Sequence, residues 1–242
     1  MHNILKEIID QKKKDLLYKS DKKFMKAILN AKTMAIIGEL KFASPTNPYF
    51  GSKNILTKKA REYETAGINA ISIITERHFF KGDTNFISQV KQTVDLPILQ
   101  KDFVIDESQV YEAKALGSDA LLLIARIVNE KTLQRFVSLA RNLGIEPVVE
   151  IASEEDLKKA IKTETDIIAV NARDLDTFTI NIENACFLMK KIPRQFIRLG
   201  FSGITSALEI RQYKKAGAKG VLIGTSLMRA ENVNDFMKSL KI

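Results

Sequence analysis

From residue 34 onward, short runs of Ile, Val and Leu alternate with longer charged segments. The apolar runs are Met34–Lys41, Ala70–Thr75, Pro97–Phe103, Ala120–Ala125, Glu146–Ile151, Asp166–Asn171, Phe196–Phe201 and Gly220–Thr225. Each is short and nearly continuous in apolar residues, the pattern of parallel strands covered on both faces. The segments between them predict helices. Thr57–Ala66 and Glu130–Leu143, for example, repeat apolar residues every three or four positions with Lys, Arg and Glu between. The punctuation repeats as well, since AGINAISIIT, LGSDALLLIA and AGAKGVLIGT share a helix end, a glycine, a two-residue link and a strand. Gly67, Gly117 and Gly217 stand where a helix C-terminus favours positive φ, and Gly144 opens a similar link. This rhythm predicts an α/β chain of the (βα)8 TIM-barrel class. The barrel spans residues 34–242, residues 1–33 form an N-terminal helical extension, and 1–242 is one domain. An open doubly wound sheet is the nearest competitor, but it favours a glycine-rich first turn, whereas the first strand here leads into KFASPTNP.

Composition narrows the function classes. Hydrophobic residues make up 45% and charged residues 28%, which excludes disordered, collagen-like and coiled-coil chains. No run of apolar residues is long enough to span a membrane, and the first thirty residues lack a signal-peptide core. The single cysteine, Cys186, has no partner in the chain, so the expectation is a reducing, cytoplasmic setting; within its helical stretch it reads as a packing residue. Lys and Arg number 38 against 29 Asp and Glu, a net charge of +9. Much of the excess is in one leading segment (Lys6, Lys12, Lys13, Lys14, Lys19, Lys22, Lys23 and Lys26), read as a solvated helical face. With no zinc cluster or ribonucleoprotein motif beside it, neither nucleic acid nor membrane is an expected partner; the expected partner is a small phosphorylated anion. The expected assembly is a monomer or weak homodimer.

In such a barrel the chemistry gathers at the C-terminal ends of the strands. Those ends carry Glu39 and Lys41, then Lys101, Glu150, Asn171, Ser202-Gly203 and Gly224-Thr225. Period-2 geometry turns Glu39 and Lys41 to the same face. Taken singly, each has a bland reading: rim ion pairs for the charged residues, a satisfied turn for Asn171, plain links for the glycines. Together they place opposite charges from three strands at one mouth. The glycine-led links after the seventh and eighth strands match a phosphate site built from backbone N–H groups at a helix start. His2 and His78 are too few and too scattered for a metal site, so none is expected, and acid–base chemistry by lysine and carboxylate is the remaining route.

Seven stretches carry a resemblance to a known family: ELKFASP (39–45), TERHFFKG (75–82), LPILQKDFVID (96–106), VVEI (148–151), VNARDLDTF (170–178), FSGI (201–204) and IGTSLMR (223–229). In this order and spacing they resemble indole-3-glycerol-phosphate synthase of tryptophan biosynthesis, a (βα)8 carboxy-lyase with an N-terminal helical extension. The resemblance implies ring closure of 1-(2-carboxyphenylamino)-1-deoxyribulose 5-phosphate with loss of CO₂ and water, without a cofactor. By the same resemblance Lys101 is the general acid on the substrate carbonyl, and Lys41 binds the departing carboxylate and assists dehydration. Glu150 is the general base or cation stabiliser, Glu39 holds lysine and substrate, and Asn171 and Ser202 orient the substrate. Ser44, Gly203, Gly224 and Thr225 correspond to phosphate contacts. Phe80, Phe103, Leu122 and Leu175 correspond to the wall of the anthranilate pocket, and Arg173 to a brace at the mouth.

The chain departs from the family pattern at three places. Phe201 stands where the family has a glutamate, Phe42 where it has an arginine, and Ala172 where a polar residue is more usual. The first loop gains aromatics, with Pro48, Tyr49 and Phe50 forming a lid or packing on the N-terminal helix. Three readings follow: the synthase itself, a divergent phosphate-binding barrel acting on a different or modified substrate, and a non-catalytic relative. Retention of Lys41, Lys101 and Glu150 argues against the last.

Overall fold

The computed structural model describes residues 21–240 together with Ile4, Lys6 and Glu7. Lys12, Lys13, Lys14 and Lys19 of the basic leading segment, and His2, lie outside the described residues. Eight strands form a closed, all-parallel barrel in sequence order. They are β1 (Ala35–Leu40), β2 (Ala70–Ile74), β3 (Ile98–Lys101), β4 (Ala120–Ile124), β5 (Glu146–Ile151), β6 (Ile167–Asn171), β7 (Ile197–Phe201) and β8 (Gly220–Ile223). Each falls within one of the apolar runs.

The described helices are α1 (Lys23–Leu29), α2 (Leu56–Thr65), α3 (Asn85–Lys91), α4 (Glu107–Leu116), α5 (Glu130–Asn142), α6 (Glu154–Ala160), α7 (Ile182–Lys191), α8 (Ala207–Ala216), α9 (Thr225–Arg229) and α10 (Val233–Ser239). Of the expected extension, α1 is the helix that falls within the described segment from residue 21. The repeated glycine stop has its physical cause in the backbone: Gly117 and Gly217 cap α4 and α8 in the left-handed region, at φ 85° and 98°.

Period-2 alternation divides the apolar residues into two cores. One fills the layer between strands and helices and includes Ile36, Leu40, Tyr63 and Tyr213. The other fills the barrel itself with Ile37, Leu99, Leu122, Val148, Ala169, Leu199 and Leu222, and α1 adds Phe24 and Ile28 to it. The inward series on each strand continues to the C-terminal end: Ala35, Ile37, Glu39 on β1; Val148, Glu150 on β5; Ala169, Asn171 on β6; Leu199, Phe201 on β7. Alternation thus converts strand ends into a ring of cavity-facing side chains.

The inward series also has an end at the opposite pole. Glu146 opens β5 and accepts the backbone N–H groups of Phe24 and Met25 at 2.8 and 2.9 Å. It serves two otherwise orphaned donors in the first turn of α1, whose preceding residue, Lys22, has no side-chain cap to offer. Nothing local marks Glu146 for this role, because its partner is 122 residues away.

Candidate active site

The inward ring closes around a cavity of about 220 Å³ at the C-terminal ends of the strands. All fifteen residues expected from the sequence line it. Glu39, Lys41, Lys101, Glu150, Asn171 and Ser202 supply its polar groups, and Phe80, Phe103, Leu122 and Leu175 supply apolar wall. Ser44, Arg173, Gly203, Gly224 and Thr225 complete the set. Phe201 lines the cavity too.

Glu39 is the electrostatic centre. Its Oε1 meets Lys41 Nζ at 2.9 Å and its Oε2 meets Lys101 Nζ at 3.8 Å, so one carboxylate faces two ammonium groups, one just after β1 and one at the end of β3. Burial by itself would raise the Glu39 carboxyl, but Lys41 and Lys101 outweigh it and hold the group below its ordinary value. A Cβ at Gly224 would stand 2.2 Å from Glu39 Oε1 and 3.0 Å from Lys41 Nζ, so a larger residue there would displace this pair. Lys41 also lies 5.2 Å from the centroid of Phe50, whose ring meets the guanidinium of Arg229 at 5.6 Å. The first loop therefore folds Phe50 back between two cations, while Tyr49 stays exposed.

Glu150 is buried and its carboxyl is pushed up, first by burial and against the pull of Lys101 and Asn171. Asn171 Nδ2 donates to Glu150 Oε1 at 3.1 Å, and Asn171 Oδ1 accepts Ser202 Oγ at 2.8 Å and the Arg173 N–H at 3.0 Å. Those two donors fix which way the amide faces. Arg173 braces the β6–α7 loop by donating to the Phe178 carbonyl at 2.9 Å.

Two features differ from expectation. The link after β8 runs directly into α9, as a helix-start anion site requires, but after β7 the chain makes a turn before α8 begins at Ala207. Ser202 and Gly203 are both left-handed there, at φ 71° and 81°. The β2–α3 loop has an organiser that the motifs did not single out. Glu76 accepts the N–H groups of His78, Phe79 and Phe80 at 2.7–2.9 Å, and the Phe80 ring it presents packs 6.3 Å from Phe103. A carboxylate followed by a short loop is too common a pattern to have signalled this.

Phe42 is buried, edge-on to Phe86 at 5.3 Å, so its ring belongs to the outer core rather than to the cavity. Cys186, on α7, is half-buried against the same core, and burial pushes its thiol up.

The model of the family described as indole-3-glycerol phosphate synthase matches residues 3–240. The chain belongs to that family. An indole-3-glycerol phosphate synthase of Caldanaerobacter subterraneus subsp. tengcongensis is 39% identical, with 98% of this chain and 99% of the relative covered. One of Clostridium kluyveri is 34% identical over 98% of this chain and 99% of its own length. Among solved structures, a 3-hexulose-6-phosphate synthase superposes with a TM-score of 0.69 at 14% identity, covering 86% of this chain and 98% of that one, a likeness of fold. Of Phe201, Phe42 and Ala172, the positions where the sequence departs from the expected pattern, Phe201 is the one that lines the cavity.

Proposed function

We propose that the chain closes the indole ring of 1-(2-carboxyphenylamino)-1-deoxyribulose 5-phosphate, releasing CO₂ and water to form indole-3-glycerol phosphate. The observation that carries this reading is the pairing of Lys41 and Lys101 with one buried carboxylate, Glu39, in the cavity that Glu150 also lines. Lys101 protonates the carbonyl oxygen as the carboxylate-bearing ring carbon attacks the carbonyl carbon. A ring π pair makes the new C–C bond, and the pair of the C–CO₂ bond that then breaks returns to the ring and restores its aromaticity. Lys41 holds the departing carboxylate and then helps the hydroxyl leave as water. Glu150 faces the cationic ring system and takes a proton. Glu39 keeps two like charges close, which would otherwise repel. Each placed acid or base is worth roughly 10²–10⁴-fold.

The aromatic end of the substrate rests against Phe80, Phe103, Leu122 and Leu175, and its phosphate against Ser44, Gly203, Gly224 and Thr225, with Arg173 bracing the rim. The lone half-buried thiol, Cys186, and the biosynthetic chemistry support work in the cytoplasm. A second reading, a modified substrate, is favoured by Phe201 alone. The test is indole formation followed by fluorescence for wild type and Lys101→Ala. Turnover that vanishes in the variant supports the synthase. No turnover in either protein moves the reading to the divergent substrate.

A further inference from the structure

Two tyrosines outside the cavity share one arrangement. Tyr63 on α2 and Tyr213 on α8 are fully buried in the layer between strands and helices. Each ring occupies the space beside a strand glycine. A Cβ on Gly38 would stand 2.6 Å from Tyr63 Cδ2, and one on Gly200 would stand 2.4 Å from Tyr213 Cδ1. Each hydroxyl then reaches the carbonyl of the residue after that glycine. Tyr63 donates to Glu39 O at 3.2 Å; Tyr213 shares its proton between Phe201 O and Ser202 O, both at 3.1 Å. Strands β1 and β7 flank β8 in the closed barrel, so the two clamps stand on either side of Gly224 and Thr225.

The direction of those carbonyls has a consequence for the site. A trans peptide sets its N–H opposite its C=O. Phe201 O also accepts the Ala172 N–H at 2.9 Å across the ladder to β6, so Tyr213 is its second partner. Drawing Ser202 O outward to Tyr213 turns the Gly203 N–H the other way, toward the cavity that Ser202 and Gly203 line. Left-handed backbone at a non-glycine residue costs roughly 1–2 kcal/mol, so Ser202 needs its surroundings to hold it. Tyr213 holds its carbonyl, and Asn171 holds its hydroxyl at 2.8 Å. On β1 the clamp acts on the backbone of Glu39, whose carboxylate faces both lysines, and the Tyr63 hydroxyl also lies 3.5 Å from Met228 Sδ. Burial raises both phenols, so they remain donors over the whole working range of pH.

We infer that Tyr213 is a positioning residue for the anion-binding Gly203 N–H after β7, and Tyr63 for the carboxylate that pairs the two lysines. The inference rests on the proposed placement of phosphate and lysines, and it separates the two tyrosines by what each should disturb.

The test replaces each tyrosine by Phe, which keeps the ring over its glycine and removes only the hydroxyl. Binding of inorganic phosphate is measured by calorimetry, and kcat and KM with the deoxyribulose phosphate substrate. Tyr213→Phe should weaken phosphate binding and raise KM by roughly fivefold to tenfold, with kcat little changed. Tyr63→Phe should leave phosphate binding and KM unchanged and lower kcat by roughly fivefold to tenfold. Wild-type phosphate binding and kinetics in both variants, accompanied only by a lower Tm, would overturn the inference. So would equal effects on the same parameter, or a Tyr213→Phe protein that does not fold, since the hydroxyl would then serve the fold alone. If wild type fails to turn over the substrate, the proposed function fails, while the phosphate measurement still decides the role of Tyr213.

Discussion

Asn171 Nδ2 donates to Glu150 Oε1 at 3.1 Å, while Glu150 Oε2, equally buried, meets no hydrogen-bond donor among the described residues. A buried carboxylate with one oxygen served and one free is unstable unless it is protonated or its second oxygen faces a substrate donor. Burial raises the Glu150 carboxyl and so favours the first, and the cavity offers the second.

Glu150 must be ionised to take a proton, so activity falls as pH drops through its carboxyl range, and burial places that acid limb above the ordinary value. Asn171→Ala removes a bond that favours the charged form. The acid limb of kcat/KM should move to higher pH, and Glu150→Gln should lower kcat by roughly 10²–10⁴-fold. A pH–rate profile of the three proteins checks both; an unmoved limb in Asn171→Ala would show that Glu150 does not set it.

Phe201→Glu places a carboxylate among Leu122, Ile124, Leu199 and Leu222 in the barrel core. Without a full set of partners it should cost at least about 2 kcal/mol, a drop in Tm of roughly 4–8 °C. Turnover should nevertheless persist or rise, since the resemblance to the synthases implies a glutamate at this position. Calorimetry with the fluorescence assay reads the two effects separately, and abolished turnover at normal substrate affinity would assign Phe201 to a different substrate.

Phe50 lies between Lys41 and Arg229, both within cation–π range of its ring. Phe50→Leu keeps apolar bulk in the first loop and removes the ring face. A loss of about 0.5–1 kcal/mol at Lys41 predicts a kcat lower by roughly two- to fivefold. Steady-state kinetics checks this, and unchanged kcat would limit Phe50 to packing.

Glu146 contributes a pH dependence to stability. Burial raises its carboxyl from 4.5 to about 7, against the two α1 N–H groups that favour its charge. The folded state then binds the proton more tightly than the unfolded chain. The contribution is fully present below pH 4.5 and is lost as pH rises through about 7. Its size is on the order of 3 kcal/mol. Urea unfolding of Glu146→Gln across that window should show a flatter stability curve than wild type; parallel curves would remove Glu146 from the account.

The positions of the eight strands and the glycine stops were legible because they depend on local period and local φ. A strand's alternation states which residues share a face, and a parallel barrel places its strand ends at one mouth, so Lys101, Glu150 and Asn171 were found without knowing their neighbours. The aromatic first loop was legible as a feature but not in its placement. Pro48–Tyr49–Phe50 reads equally as lid or packing element until the position of Arg229, far along the chain, is known.

What the sequence alone determined is therefore the set of strands, their inward faces and the residues that line the cavity. Tertiary structure decided which of them meet: Glu39 with two lysines, Glu150 with Asn171, Tyr213 with the carbonyls of Phe201 and Ser202, and Glu146 with a helix 122 residues earlier. Period and propensity act over a few residues. Contacts across a closed barrel are set by its stagger and by the desolvation that closure imposes, and those arise only once all eight strands have paired.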